Sequence, residues 1–357
     1  MSETDEPQRT VGVLGLGLIG GSIALALGAR GWRVVGDDED PDVVAAARER
    51  GVIAEGGLSD ASVTFVAVPA GSAIEAIERA LAETEGLVTD VASVKGDIAR
   101  QVSNARFIGG HPMAGSEQSG LAGADAALFE GAVWVLSPSP NTEDDSLADI
   151  RSVVVSLGAD VVVIDPHRHD ELVAMISHVP HLTAATLMSL ASDRSLEHRA
   201  LLRLAAGGFR DMTRVASGDP RMWIDICASN KTAIVSVLDD LISSLAAVRA
   251  TVEAGDSEAL HELLTDARAA RSNLPSSALH PSELSEIRVP VPDQPGELIQ
   301  VLSLAGELNI NVYDIEISHR AERDEGLLTV VVASASAAQL DAGLLARGYR
   351  PRIKALQ

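Results

Sequence analysis

The stretch from residue 11 to residue 38 constrains the fold of this chain more than any other. A short apolar run is followed by Gly15, Gly17 and Gly20 in the spacing GxGxxG, then by an Ala/Leu-rich segment and a second apolar run. This order predicts strand, glycine turn, helix and strand, the first unit of a Rossmann-type sheet. Such glycines allow a tight turn, close approach of a pyrophosphate and close helix packing, and a helix N-terminus attracts phosphates. The stretch therefore predicts a dinucleotide site.

Acidic side chains follow the second predicted strand and bear on the choice of cofactor. Asp37 and Asp38 stand at its tip, where a carboxylate accepts hydrogen bonds from an adenosine ribose and repels a 2′-phosphate. NAD is therefore expected rather than NADP. Leu18 and Ile19, between the glycines, complete the predicted cofactor site. Glu39 crowds the same tip, and the sequence leaves open whether Asp37 or Asp38 binds the ribose.

Composition and charge restrict the partners and the compartment. Of 357 residues, 46% are apolar, and a formal charge of −23 argues against a nucleic-acid partner. The acidic N-terminus and the lack of an 18-residue apolar run predict neither a secretory signal nor a membrane span. The single cysteine, Cys227, excludes an internal disulfide and a multi-thiolate metal site. A cytoplasmic protein is expected, in which an anionic ligand needs a local cluster of cations.

The pattern of apolar residues divides the chain into four parts. Residues 9–165 alternate apolar runs with helical segments, which predicts a doubly wound sheet. Residues 166–274 repeat apolar side chains at three- and four-residue spacing, which predicts an all-helical domain whose Ala-rich helices pair in a homodimer. A Pro/Ser-rich linker is predicted at 275–282, and residues 283–357 follow the order βαββαβ.

Two motifs at predicted strand ends contain candidates for proton transfer. His111 lies in GGHPMAGSE, just past a strand end, where the active residues of such sheets gather, and an imidazole accepts protons at neutral pH. Ser93, in TDVASVKG, is a candidate neighbour of His111, with helix capping as its alternative role. His178 and His181 in SHVPH have a spacing that invites a metal ion. No HExxH pattern or thiolate cluster accompanies them, so no metal is expected.

An arginine-rich run interrupts the helical pattern. GGFRDMTR at 207–214 and DPRMW at 219–223 supply glycines, three arginines and a tryptophan. Arginine binds carboxylates through two parallel hydrogen bonds, so the run predicts a site for an anionic substrate. A salt-bridged surface turn is the alternative.

The motifs GLGLIGGS, TDVASVKG, GGHPMAGSE, SHVPH, GGFRDMTR and DPRMW, in this order, resemble the prephenate dehydrogenase family, which includes arogenate and cyclohexadienyl dehydrogenases. The resemblance implies an NAD-dependent oxidative decarboxylation. Hydride passes to nicotinamide, the ring carboxylate leaves as carbon dioxide, and the ring becomes aromatic. Prephenate and arogenate are both possible substrates. The three arginines and His181 favour prephenate, whose side chain has no compensating ammonium.

The resemblance also implies roles for individual residues. His111 would accept the hydroxyl proton, Ser93 would hydrogen-bond the hydroxyl or His111, and Arg214 would bind a substrate carboxylate. The resemblance also implies that His181 lines the pocket, that Gly207, Asp211 and Trp223 shape it, and that Glu117 lies near its mouth. A hydroxyacid dehydrogenase would not explain the His111 and Arg214 motifs together. A catalytically silent binder of NAD and an amino acid is the alternative from another class, and the intact candidate residues argue against it.

The C-terminal segment, with VPDQPGEL at 291–298 and NIN at 309–311, resembles an ACT domain of ferredoxin-like βαββαβ fold, a module that commonly binds amino acids at a dimer interface. The resemblance implies regulation by tyrosine or another aromatic amino acid. A purely structural dimerisation unit is the alternative. The residues implied for the effector site are Asp293, Pro295, Gly296, Asn309 and Asn311.

Overall fold

The computed structural model of the chain describes residues 9–115, 118–197, 201–272, 284–292, 294, 296–319 and 325–355. Contacts divide the chain into two compact units, Met1–Ala247 and Val248–Gln357. The boundary between them falls inside a helix, so the four-part division above remains a prediction. The predicted linker at 275–282 lies outside the described residues.

The first unit is built on a sheet flanked by helices. Its strands are β1 (Thr10–Leu14), β2 (Arg33–Asp37), β3 (Val63–Val66), β4 (Leu87–Asp90), β5 (Phe107–Pro112), β6 (Val133–Ser137) and β7 (Asp160–Val163). The helices between these strands are α1 (Leu18–Gly28), α2 (Pro41–Glu49), α3 (Ala73–Glu83), α4 (Gly96–Gln101) and α5 (Asp144–Ser156). The predicted Rossmann-like architecture is confirmed.

The order of the strands in this sheet is β2-β1-β3-β4-β5-β6-β7. All neighbours are parallel except β5 and β6, which pair antiparallel with His111 opposite Val135. The apolar run at 106–109 predicts a strand that ends at Gly109. β5 instead continues through His111 and Pro112, because β6 pairs with it beyond the last residue that pairs with β4. β2 lies on one side of β1 and β3 lies on the other, so the order in which strands are added to the sheet reverses between β1 and β3. Ligands of such sheets bind at the carboxyl ends of the strands beside this point.

Aromatic side chains fill the core beneath β6. The rings of Phe65 and Phe129 contact Trp134 at centroid distances of 6.1 and 5.1 Å, and all three side chains are fully buried. A buried aromatic side chain of this kind contributes about 1.5–3 kcal/mol through removal of apolar surface from water. The core therefore fixes the strand that pairs with His111.

Helices follow the sheet, as predicted. They are α6 (Pro166–Val173), α7 (Val179–Glu197), α8 (Gly207–Thr213), α9 (Pro220–Ser229), α10 (Lys231–Ala254) and, in the second unit, α11 (Ser257–Ser272). Asp165 caps α6 by accepting from the backbone N–H groups of His167 and Arg168, and Pro166 occupies the first helical position, where no N–H is needed. A π-helical turn at Ala174–His178 joins α6 to α7.

The continuous helix Pro166–Ser195 is long and apolar enough to cross a membrane by length and composition alone, with a mean hydropathy of 1.2 in its most apolar window. A third of that window is buried within the protein, and core helices of soluble proteins meet the same criterion. Its titratable residues include His169, Asp170 and His178, all buried.

The second unit contains a separate antiparallel sheet. Its elements are β8 (Leu284–Pro292), α12 (Glu297–Glu307), β9 (Val312–His319), β10 (Glu325–Ala333), α13 (Ser334–Ala346) and β11 (Arg352–Ala355). The strand order is β11-β8-β10-β9. Every second residue is apolar over 287–291 of β8 and over 328–332 of β10, and these two strands pair antiparallel. These residues are buried against Leu304 of α12 and Leu340 and Leu344 of α13. The predicted order of elements is therefore observed.

Candidate active site

The turn between β1 and α1 has the geometry that a dinucleotide requires. Gly15 has a φ of +87°, and a Cβ there would lie 2.4 Å from the carbonyl oxygen of Ala67. A Cβ on Gly20 would lie 1.8 Å from the carbonyl oxygen of Gly15, whereas a Cβ on Gly17 would meet no described protein atom within 4 Å. The backbone is closely packed at Gly15 and Gly20 and open at Gly17, which fits the approach of a pyrophosphate.

The first turn of α1 adds hydrogen-bond donors to this cradle. The helix begins at Leu18 with Gly17 as its N-cap, and no side chain caps it. The N–H groups of Leu18 and Ile19 have no acceptor within the helix and lie at the positive end of its dipole. These residues therefore fit the binding of an anionic pyrophosphate.

The structure distinguishes the two acids at the tip of β2. Oδ2 of Asp38 accepts a 2.6 Å hydrogen bond from the N–H of Leu16, within the glycine turn. Oδ2 of Asp37 instead lies 2.6 Å from the guanidinium of Arg79 on α3. The carboxylate of Asp38 is thus directed toward the cradle, which favours Asp38 as the ribose ligand; the assignment remains a prediction.

His111 is buried, with 8% of its surface exposed, at the carboxyl end of β5. Its Nδ1 lies 2.8 Å from Nε2 of His169 on α6, and Nδ1 of His169 lies 2.9 Å from Oδ1 of Asp170. Oδ1 and Oδ2 of Asp170 also accept 2.8 Å hydrogen bonds from the backbone N–H groups of Lys95 and Gly96. A chain of hydrogen bonds therefore connects the sheet to the helical part of the unit.

A second buried carboxylate fixes the backbone beside His111. Oδ1 of Asp90, at the end of β4, accepts a 3.0 Å hydrogen bond from the N–H of Gly110, and Oδ2 pairs with Nζ of Lys95. A Cβ on Gly110 would lie 2.5 Å from the carbonyl oxygen of Asp90, so glycine permits the close approach of the strands. Ser93, in the loop after β4, is half-buried. Within the described part of the chain, Nδ1 of His111 pairs with His169 rather than with Ser93.

Two histidines on the helical side contact a tryptophan. The ring of His181 stacks on that of Trp223 with a centroid distance of 3.5 Å and an angle of 13°, and His178 meets the same indole edge-on at 6.0 Å. Nδ2 of Asn230 donates a 2.8 Å hydrogen bond to the carbonyl oxygen of Asp170 and lies 3.2 Å from Nδ1 of His178. The predicted neighbours His181 and Trp223 are therefore in contact. Among the described residues no group of three or more metal-ligating side chains is arranged to hold an ion.

The arginine-rich run packs against α7, the helix that contains His181. Gly207 begins α8, Asp211 lies within it, and Arg214 begins the 3-10 turn that follows. All three residues are exposed. Glu117, also predicted for this pocket, lies outside the described residues. Their roles in substrate binding remain predictions.

Burial favours the neutral form of His111, His178 and His181. Burial lowers the pKa of His111 well below its ordinary 6.5, and repulsion from His169, Lys95 and His178 lowers it further. Burial also lowers the pKa of His178, to about 4, against the attraction of Asp170. The pKa of His181 is lowered by burial as well. A neutral imidazole can accept a proton, so the site suits a proton acceptor.

Sequence reasoning missed His169, Asp170, Asp90, Lys95 and Asn230. Asp90 and Lys95 lie in the TDVASVKG motif, in which only Ser93 had been selected. One feature of the sequence could have identified His169 and Asp170. They are two adjacent titratable residues near the start of α6, a capped helix that directly follows the last strand of the sheet. Asp170 also lines an open cleft of about 570 Å³ together with Arg100, His167, Glu171 and Lys231.

The residues implied for the effector site belong to the second unit. Gly296 has a φ of +100° at the N-cap of α12, and Asn309 has a φ of 54° two residues after the end of that helix. Asn311 is exposed before β9, while Asp293 and Pro295 lie outside the described residues.

Comparison with known proteins identifies the class. Residues 23–163 match the model of the prephenate dehydrogenase nucleotide-binding domain, and residues 165–266 match that of the prephenate dehydrogenase dimerization domain. The chain is 35% identical over 344 residues to the prephenate dehydrogenase of Bacillus subtilis (strain 168), covering 91% of this chain and 92% of that protein.

Two solved structures are similar in fold and sequence. The arogenate dehydrogenase of Synechocystis is 33% identical with a TM-score of 0.65, over 74% of this chain and 99% of that one. The prephenate dehydrogenase of A. aeolicus, solved with hydroxyphenyl propionate and NAD+, is 28% identical with a TM-score of 0.70, over 75% of this chain and 99% of that one.

The glycine cradle, the Rossmann-like sheet and these matches define an NAD-dependent dehydrogenase. The chain belongs to the prephenate dehydrogenase family.

Proposed function

We propose that the protein catalyses the NAD-dependent oxidative decarboxylation of prephenate to 4-hydroxyphenylpyruvate in tyrosine biosynthesis. The observation that supports this most directly is the buried His111, whose pKa is lowered and whose position is at the carboxyl edge of the nucleotide-binding sheet. When a hydride leaves the carbon of an alcohol, the hydroxyl group must lose its proton, so a neutral proton acceptor is needed beside the nicotinamide.

The glycine turn and α1 would hold the cofactor. Gly17 and the N–H groups of Leu18 and Ile19 suit the pyrophosphate, and Asp38 suits the ribose hydroxyls. Oxidised nicotinamide, when bound, accepts the hydride from the ring carbon that bears the 4-hydroxyl. The protein orients the two reactants and excludes water from the reacting atoms.

His111 would hold the proton of the 4-hydroxyl while the hydride leaves. Nδ1 of His111 is engaged by His169, so Nε2 is the nitrogen that would accept. Loss of carbon dioxide returns an electron pair to the ring, and the phenolate oxygen formed takes the proton back, so that no net proton is released. Ser93 would hydrogen-bond the same hydroxyl.

The helical part would bind the anionic groups of the substrate. Arg214 would hold a carboxylate through a bidentate hydrogen bond, and the stacked pair of His181 and Trp223 would line the pocket with Gly207 and Asp211. Glu117 is proposed to contribute to substrate binding.

The deciding experiment follows NADH formation with purified prephenate and then with arogenate. We expect turnover with prephenate, and no turnover with either compound would refute the assignment. The His111→Asn variant should lower kcat on the order of 10²-fold with unchanged NAD affinity, because it loses the proton acceptor but little bulk. A near-normal kcat would show that another group accepts the proton.

Arogenate is the second candidate substrate, since the Synechocystis structure with 33% identity is an arogenate dehydrogenase. Prephenate is favoured because Arg210, Arg214 and Arg221 lie in the run predicted to bind anions, and an ammonium on the side chain would offset part of that charge. A higher kcat/KM with arogenate would reverse the preference.

We propose further that the enzyme is a cytoplasmic homodimer whose C-terminal unit is an ACT domain sensing tyrosine. The dimerization-domain match and the strand order β11-β8-β10-β9 within a βαββαβ unit support this proposal. Pro295, Gly296, Asp293, Asn309 and Asn311 would bind the effector. The test compares inhibition by tyrosine of the whole chain with that of a chain cut near Ser282, and identical responses would refute it.

A further inference from the structure

The proton positions in the buried chain of hydrogen bonds can be assigned from one end. Burial alone would raise the pKa of the Asp170 carboxyl, but hydrogen bonds from His169 and from the backbone N–H groups of Lys95 and Gly96 lower it on balance. Asp170 is therefore a carboxylate, which can only accept hydrogen bonds. Nδ1 of His169 must then be protonated.

The same logic reaches His111. With a single proton, held on Nδ1 by the carboxylate, His169 has its lone pair on Nε2, which lies 2.8 Å from Nδ1 of His111. Nδ1 of His111 must donate to it, and the lone pair of His111 is thereby confined to Nε2. We infer that Asp170 and His169 are positioning residues, which together set the tautomer of the proton acceptor His111. This inference rests on the proposed function.

The charge distribution gives Asp170 a second effect. When His111 takes up a proton, the nearby Lys95 opposes the new positive charge. Asp90, the buried carboxylate at the end of β4, is already paired with Lys95. Asp170 therefore stabilises the imidazolium through His169, as the carboxylate of a catalytic triad does for its histidine.

The surroundings of Asp170 permit a sharp test. Three donors converge on its carboxylate: the N–H groups of Lys95 and Gly96 and Nδ1–H of His169. The same side chain lines the open cleft of about 570 Å³, which would admit a small anion. If the Asp170→Ala substitution removes the carboxylate and leaves the donors, formate should bind among them and replace it.

The experiment measures NADH formation from prephenate by the full-length Asp170→Ala variant with increasing formate, against sodium chloride at equal ionic strength. We expect kcat to fall on the order of 10²-fold and to recover in a saturable manner with formate but not with chloride. NAD affinity and the melting temperature report folding.

Two variants serve as matched controls. Glu171→Ala removes an exposed carboxylate from the same cleft and should leave kcat unchanged with or without formate. His169→Ala should lose activity and gain nothing from formate, because the link to His111 is missing.

The outcomes separate this inference from the proposed function. Wild-type turnover of prephenate tests the function alone. A folded Asp170→Ala variant with wild-type kcat, or one that formate does not restore, would overturn the inference. If Asp170→Ala does not fold, the isosteric Asp170→Asn variant replaces it, and a kcat equal to that of the wild type would be equally decisive against it.

Discussion

The environment of His111 disfavours its protonated form. Burial removes the hydration that a cation needs, and Lys95 repels a further positive charge. Asp170 counters this only through His169, to which it is hydrogen-bonded. The pKa of His111 therefore lies well below 6.5, and the neutral form persists into acidic solution.

This environment predicts the pH dependence of the reaction. Because a lowered pKa leaves the imidazole able to accept a proton at lower pH, kcat/KM should stay level as the pH falls to 6.5 and decline only in more acidic solution. The measurement is the initial rate of NADH formation against pH at subsaturating substrate. A half-maximal value at or above pH 6.5 would contradict the prediction.

The two acids at the tip of β2 predict different effects on cofactor binding. Asp38 is hydrogen-bonded to the glycine turn, whereas Asp37 is paired with Arg79. Asp38→Ala should raise the Kd for NAD about 10- to 100-fold, because hydrogen bonds to a charged group contribute about 1.5–3 kcal/mol. Asp37→Ala is the matched control and should change the Kd less than twofold in titrations of protein fluorescence. The reverse order would assign the ribose to Asp37.

The sequence predicts a site residue only where that residue belongs to a recognisable local motif. His111 follows two glycines at a strand end, and that local context predicted it as a proton acceptor. His169 lies 58 residues further along the chain, and its contact with His111 depends on how α6 packs beside the sheet. No spacing rule connects two residues at that separation, so the His169–Asp170 pair emerged only from the structure.

Apolar runs in the sequence predict all seven strands of the first sheet but not their directions. β5 and β6 pair antiparallel, and this pairing extends β5 through His111. Direction depends on long-range pairing, whereas apolar runs report only burial. In the C-terminal segment, the sequence predicts a strand over 312–319, and β9 begins and ends at the same residues.

The glycine turn predicts a contrast between stability and cofactor binding. A Cβ on Gly20 would strike the carbonyl oxygen of Gly15 at 1.8 Å, and backbone cannot move aside as a flexible side chain does. Gly20→Ala should therefore cost about 1–3 kcal/mol or more and lower the melting temperature by several degrees. Scanning calorimetry of the apoprotein measures this effect.

Gly17→Ala is the matched variant in the same turn. Its φ of −71° suits alanine, and the added Cβ meets no described protein atom within 4 Å. The melting temperature should stay unchanged while the Kd for NAD rises about tenfold, because the methyl group occupies the approach of the pyrophosphate. A destabilised Gly17→Ala protein, or one with normal NAD affinity, would argue against this role.

Exposed apolar side chains favour association of two chains, whereas the net charge of the chain opposes it. Ile224 and Ile242 are 67% and 62% exposed on α9 and α10, within the region that matches the dimerization domain. Each chain also has a formal charge of −23, so two chains repel. For a dimer to form, the free energy gained by burying exposed apolar side chains such as Ile224 and Ile242 must exceed the electrostatic repulsion between the chains.

This balance predicts a dimer that salt strengthens. Salt screens the repulsion, with a Debye length of about 10 Å at 0.1 M, but leaves apolar burial intact. Sedimentation equilibrium should show twice the chain mass, with tighter association at higher salt. Ile242→Glu should shift the protein toward monomer, because it would bury a charge in the interface. Val155→Glu, at a 49% exposed position on α5 in the nucleotide-binding part, should remain dimeric. If both variants were monomeric, or if both remained dimeric, the interface would lie elsewhere.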